Sequence, residues 1–254
     1  MHSLLLLMVL PILKAENICP SNYRELQRNI CVAELGETEE FCSACGKCAD
    51  YGRYHGQLAF LMGRHFLNLT SDDNISTNLW TGLNRLLGQK KTSTDVWRDV
   101  DPRSPTYAVQ SSEIPWGRNE PNGEPAIMYH KQSNRMRDTL LKNTWTSLQV
   151  YCEYGGSPSS LLQLYHFRSD FPEPIANLVQ KEEKYFGCIS ERLASSQIDC
   201  ARKCALNPHC RSIYFHAKDK RCIQTLYADA LLPSNISPNQ GGWKRFAKAT
   251  VMQN

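Results

Sequence analysis

The stretch Trp116-Gly117-Arg118-Asn119-Glu120-Pro121-Asn122-Gly123-Glu124 sets a carboxylate, Glu120, and a carboxamide, Asn122, two residues apart across a proline. Oxygen donors of this kind suit a hard cation such as Ca²⁺, and a cis proline between them would aim both side chains the same way. A short segment with Pro and Asn is by default an ordinary turn, so the surrounding sequence has to decide between the two.

The N-terminus bears on compartment. Residues 1–15 contain the apolar run Leu4 to Leu13 followed by Lys14-Ala15, the pattern of a cleaved signal peptide, and the run is too short to span a bilayer. No later stretch approaches the roughly 20 apolar residues of a membrane-spanning helix, and the mean hydropathy is −0.46. These features predict a secreted, extracellular protein without a membrane span. Three sequons, at Asn68, Asn74 and Asn235, add candidate glycosylation sites.

The chain has 254 residues, 41% of them hydrophobic, enough for one large core or two small ones. Lys and Arg number 29 against 25 Asp and Glu, a net charge of only +4 with no long basic cluster, which argues against nucleic acid as a partner. Eleven cysteines in a secreted chain predict disulfides. The count is odd, so at least one thiol is free or bridges to another molecule.

The cysteines fall into two blocks. Cys19, Cys31, Cys42, Cys45, Cys48 and Cys152 bracket the first, and Cys188, Cys200, Cys204, Cys210 and Cys222 crowd the second. Between them, residues 157–184 begin with Ser157-Pro158-Ser159-Ser160 and include Phe171-Pro172-Glu173-Pro174, which reads as a linker. Residues 16–156 then form one domain and 185–250 another. In the first, a hairpin is expected between Cys19 and Cys31, a helix from about Glu37 to Tyr51, and a strand at Leu58-Leu61. A second helix is expected from Arg64 to about Leu69, and strands at Leu79-Leu83, Ala126-Tyr129 and Leu148-Glu153. The polar region from Lys90 to Gly123 reads as long loops of the kind that carry function.

This block resembles a C-type lectin-like domain. The resemblance is carried, in order, by Cys19-Pro20 with Tyr23, the cysteine-bearing helix, Gly56-Gln57-Leu58-Ala59, Trp80-Thr81-Gly82-Leu83, Trp97, Trp116-Gly117, Glu120-Pro121-Asn122 and Val150-Tyr151-Cys152-Glu153. It implies an α+β fold of two helices and small antiparallel sheets beneath a long loop region that holds the ligand site. In sugar-binding members, the Glu and Asn of Glu-Pro-Asn are joined by a second Glu and an Asn-Asp pair. Carried over, this makes Glu120, Asn122, Glu124 and Asp138 candidate calcium ligands, with Glu120, Asn122 and Glu124 contacting sugar. The implied mechanism is exchange of water on the ion for two sugar hydroxyls, and the implied sugars are of the mannose, fucose or N-acetylglucosamine type. The chain departs from the pattern at three places. Ala126 and Leu141 stand where the family has a pair of bridged cysteines, Met136 replaces a tryptophan for which Trp145 lies too close to Cys152 to substitute, and Arg137 replaces the Asn ligand. A guanidinium accepts no hydrogen bond and stays charged, so Arg137 is expected to weaken any calcium site. The alternative is a non-sugar C-type lectin-like protein with a degraded calcium site, acting in protein binding or adhesion.

The resemblance also implies a bridge from the helix to Cys152, with Cys48 the choice and Cys45 the alternative, and a bridge Cys19 to Cys31. The second block, from about Tyr185 to Lys248, is similar to a PAN or apple domain, a disulfide-stapled α+β module. That pattern implies the bridges Cys200 to Cys222 and Cys204 to Cys210, and a partner that is protein or carbohydrate. Cys42, Cys45 and Cys188 are left unassigned. One interdomain bridge with a thiol left for a disulfide-linked dimer satisfies the count, and so does a Cys42 to Cys45 bridge with Cys188 free. Seven scattered histidines with no metal spacing, and no serine in a nucleophile-elbow motif, predict no catalysis.

Overall fold

The computed structural model describes residues 19–26, 29–70, 75, 77–88, 96–143, 146–157 and 164–252. The N-terminal run read as a signal peptide, Asn74 and Trp145 lie outside the described residues.

The first domain contains β1 (Arg24–Leu26), β2 (Ile30–Thr38), α1 (Phe41–Tyr54), β3 (Leu58–Leu61), α2 (Phe66–Thr70), β4 (Leu79–Asn84), β5 (Val96–Arg98), β6 (Ala108–Gln110), β7 (Ala126–His130), β8 (Arg135–Thr139) and β9 (Leu148–Gly156). They form one sheet in the order β1-β2-β9-β4-β5-β6, with β3 also paired to β9, and β7 joining β4 to β8. Helix α1 buries Phe41, Ala44, Cys45, Cys48, Ala49 and Gly52, a stripe at helical spacing that packs on the sheet. Gly52 permits that approach, because a Cβ there would lie 2.6 Å from the Gln57 carbonyl oxygen and 2.7 Å from the Ala59 nitrogen. Trp80, on the fully buried β4, meets Phe41 edge to face at 5.9 Å.

Three elements differ from the sequence reading. Residues 37–40 are not helical, because β2 runs on beside β9 to Thr38 and Glu40 is extended at the helix N-terminus. The helix instead continues to Tyr54, where His55 and Gly56, at φ 63°, turn the chain into β3. Within the loop region, β5 and β6 form a short ladder around Trp97, a residue with no exposed surface. Strand β8 was not expected at all. Its inward positions are Met136 and Asp138, so half of its buried face is polar and the sequence shows no apolar alternation.

The second domain contains β10 (Leu164–Arg168), β11 (Val179–Gln180), β12 (Ile189–Leu193), α3 (Gln197–Ala205), β13 (Cys210–His216), β14 (Arg221–Leu226), β15 (Leu232–Pro233) and β16 (Trp243–Met252). Its sheet has the order β10-β16-β13-β14-β12, and β11 pairs in parallel with β15. Part of the stretch read as a linker therefore belongs to this domain, since β10 and β11 lie within residues 164–184. Ser196 caps α3 by accepting a hydrogen bond from the Asp199 amide at 3.1 Å.

The two domains share a core. Cys188, Ala228 and Ala230 of the second pack in one cluster with Phe41, Cys45, Leu61, Trp80, Leu86 and Val150 of the first. Arg211 donates to the carbonyl oxygens of Tyr227 and, across the boundary, Val100. Among the described residues no helix is long and apolar enough to cross a membrane.

Candidate functional site

The loop between β6 and β7 is laid against β8 by backbone pairing. Gly117 donates to the Met136 carbonyl at 2.8 Å, and Met136 donates to that of Pro115 at 3.0 Å. Trp116 packs on the buried Trp97 with ring centroids 5.3 Å apart. The Glu120-Pro121 peptide is cis, and Asn119 and Gly123 sit at φ 64° and 113°. A positive φ is costly for most side chains and suits glycine, which explains Gly123 in the sequence.

Asp138 organises the loop from below. It is 5% exposed, and its carboxylate accepts from the amides of Asn122 at 2.9 Å and of Gly123 and Glu124, both at 2.7 Å. The Arg85 guanidinium lies 3.8 Å from the same carboxylate, donates to the Glu124 carbonyl at 2.9 Å, and stacks over Trp97 at 4.9 Å. Burial and the neighbouring Asp138 carboxylate push Glu120 up to about 7. One oxygen each of Glu120 and Glu124 is buried without a hydrogen-bond partner.

The second domain reaches this loop. Lys184 donates to the Gly123 carbonyl at 2.7 Å and stands 3.4 Å from the Glu124 carboxylate, and the Tyr185 hydroxyl donates to that same carbonyl at 3.0 Å. Arg85, Lys184 and Tyr185 escaped the sequence reading. The two second-domain residues are 60 to 62 positions from their partners, and no local spacing signals such a contact.

Of the four candidate ligands, Asp138 holds the backbone of residues 122–124 and neighbours Glu120, Glu124 turns to Lys184, and Asn122 is exposed. Calcium takes 6 to 8 oxygens at about 2.3–2.6 Å. Here both Asp138 oxygens already accept amide protons, Glu124 faces an ammonium group, and a guanidinium stands beside Asp138. The residues as placed do not fit a calcium ion. Among the described residues no group of three or more His, Cys, Asp or Glu side chains is set to hold a metal. Arg137 is exposed, on the face of β8 opposite Asp138. Ala126 and Leu141, at the two absent-cysteine positions, both pack into the main apolar cluster, and Met136 is buried beside Ile114 and Trp97 in a second one.

The structure joins Cys19 to Cys31, Cys48 to Cys152, Cys200 to Cys222 and Cys204 to Cys210. Of the three unassigned cysteines, Cys42 bridges Cys188 across the domain boundary. Cys45 is free and 2% exposed, so among the described residues no surface thiol is present to link a dimer. Of the sequon residues described, Asn235 is exposed and Asn68 half-buried.

Residues 181–242 match the family model of the PAN domain. No curated protein matches the chain. Among solved structures it is similar to the C-type lectin CEL-I from Cucumaria echinata, with 15% identity over 56% of this chain and 100% of that one and a TM-score of 0.39. It is similar to the mouse scavenger receptor C-type lectin carbohydrate-recognition domain, with 15% identity, 56% and 100% coverage and a TM-score of 0.38. It is also similar to a calcium-independent type II antifreeze protein, with 14% identity, 53% and 92% coverage and a TM-score of 0.37. The first domain has two helices, a sheet that returns through β9, a bridge from α1 to β9, and a long loop region between β4 and β7. In these features the first domain has the fold of a C-type lectin-like domain, and the domain bridged to it through Cys42 and Cys188 contains the residues that match the PAN domain model.

Proposed function

We propose that the chain is an extracellular recognition protein whose lectin-like domain binds a protein partner without calcium, with the PAN domain as a second binding module. The observation that carries this reading is the charge arrangement at the loop. Lys184 and Arg85 stand beside Glu124 and Asp138, where a shared metal ion would be needed for sugar hydroxyls to be held by coordination. A second reading, calcium-dependent binding of mannose-type glycans, is favoured by the unpartnered buried oxygens of Glu120 and Glu124. It requires the loop to rearrange.

Chromatography on mannose-type resin separates the two, with calcium in the load and chelator in the elution. The expected result is no retention that chelator releases, together with no calcium uptake in titration calorimetry up to about 1 mM, the weak end of extracellular calcium modules. Retention in calcium followed by release in chelator would establish the glycan reading instead.

A further inference from the structure

We propose that Lys184 of the second domain is the built-in cation of the ligand loop, standing in for a metal ion and holding residues 120–124 in shape only while the two domains are docked. The proposal rests on the calcium-free reading above and deepens it.

The geometry supports a fixed cation rather than a passing surface contact. Gly123 lies between the two positive groups, since a Cβ there would be 3.8 Å from Arg85 Nη2 and 3.9 Å from Lys184 Nζ. The loop thus presents its Gly123 carbonyl and the Glu124 carboxylate to a cation from one side, and Asp138 receives Arg85 from the other. Lys184 is held in a short 3₁₀ turn, Glu183–Tyr185, closed by hydrogen bonds from Tyr185 to Glu182 at 3.0 Å and from Phe186 to Glu183 at 3.0 Å. Both flanks of that turn are fastened to the first domain. On one side Gln180 donates to the Gly88 carbonyl at 3.4 Å, and on the other Cys188 is bridged to Cys42. Tyr185 is 7% exposed and adds its hydroxyl to the Gly123 carbonyl. The Lys184 side chain is 33% exposed, so water screens its attraction to Glu124, and its hydrogen bond to the Gly123 carbonyl is the firmer contact. An ammonium group and a calcium ion differ in how many oxygens they gather, but each answers the same need of a loop that turns a carbonyl and a carboxylate toward one point.

Two variants of the full chain test this: Lys184→Met, which keeps length and removes charge, and Lys184→Glu, which puts a carboxylate in place of the cation. Each is first checked for an intact Cys42–Cys188 bridge by mass spectrometry of non-reduced peptides. Amide hydrogen exchange of residues 122–124 is then followed in chelator and in calcium. In chelator both variants are expected to exchange about tenfold faster than wild type, the loss of one charge-assisted hydrogen bond. Unchanged exchange in chelator overturns the role of Lys184. Slowing of wild-type exchange by calcium overturns the calcium-free reading instead, so the two failures are told apart.

Discussion

Asp138 is the residue on which the loop depends, because one buried carboxylate serves three consecutive backbone amides. Replacing it by Asn leaves fewer acceptor sites for those amides and brings two donors where donors already converge. Asp138→Asn is therefore expected to cost about 2–4 kcal/mol in chemical denaturation and to raise amide exchange at residues 122–124. An unchanged denaturation midpoint would show that the three bonds add nothing. Of the residues in and around the loop, Glu120, Asn122, Glu124 and Asp138 could be named as candidates from sequence, since a family pattern sets their order along the chain. Arg85 and Lys184 were not. A guanidinium and an ammonium reaching a loop from distant segments leave no periodicity, and each looks in sequence like an ordinary surface charge.

At the scale of elements, the cysteines of α1 at spacing i, i+3, i+6 and the short apolar runs at Leu58–Leu61 and Leu79–Leu83 could be read directly, the runs because both strands are buried almost throughout. What could not be read was where β2 yields to α1, since both carry buried residues and only pairing with β9 decides the boundary. The same helix shows what the bridges do. Cys48 ties α1 to β9 within its own domain, whereas Cys42, six residues earlier on the helix, ties it to the second domain across 146 residues of sequence. On the chain-entropy account, a closed loop of that length contributes about 5 kcal/mol. The double change Cys42→Ser with Cys188→Ser is expected to lower stability by about 3–5 kcal/mol in denaturant while leaving the other four bridges formed. A loss under about 1 kcal/mol would mean that noncovalent docking alone holds the domains.

For the whole molecule, the sequence showed two blocks of cysteines but not their shared core. Residues such as Ala228 and Ala230 are too small and too near polar neighbours to announce an interface, yet both are buried in one cluster with Leu86 and residues of α1. The interface also encloses the one unpaired cysteine. Cys45 lines a cavity of about 20 Å³ together with Ala49, Pro208, His209, Arg211 and Tyr227, and burial pushes its thiol well above the usual range. An alkylating reagent needs both access and a thiolate, and the docked molecule offers neither. Cys45 should resist labelling in the native protein and react when the domains part, faster in the Cys42→Ser, Cys188→Ser variant, with intact mass spectrometry counting the adduct. Prompt labelling of the native protein would contradict the closed interface. The odd cysteine thus turns into a stopwatch already installed in the chain, one whose alkylation rate measures how often the two halves let go of each other.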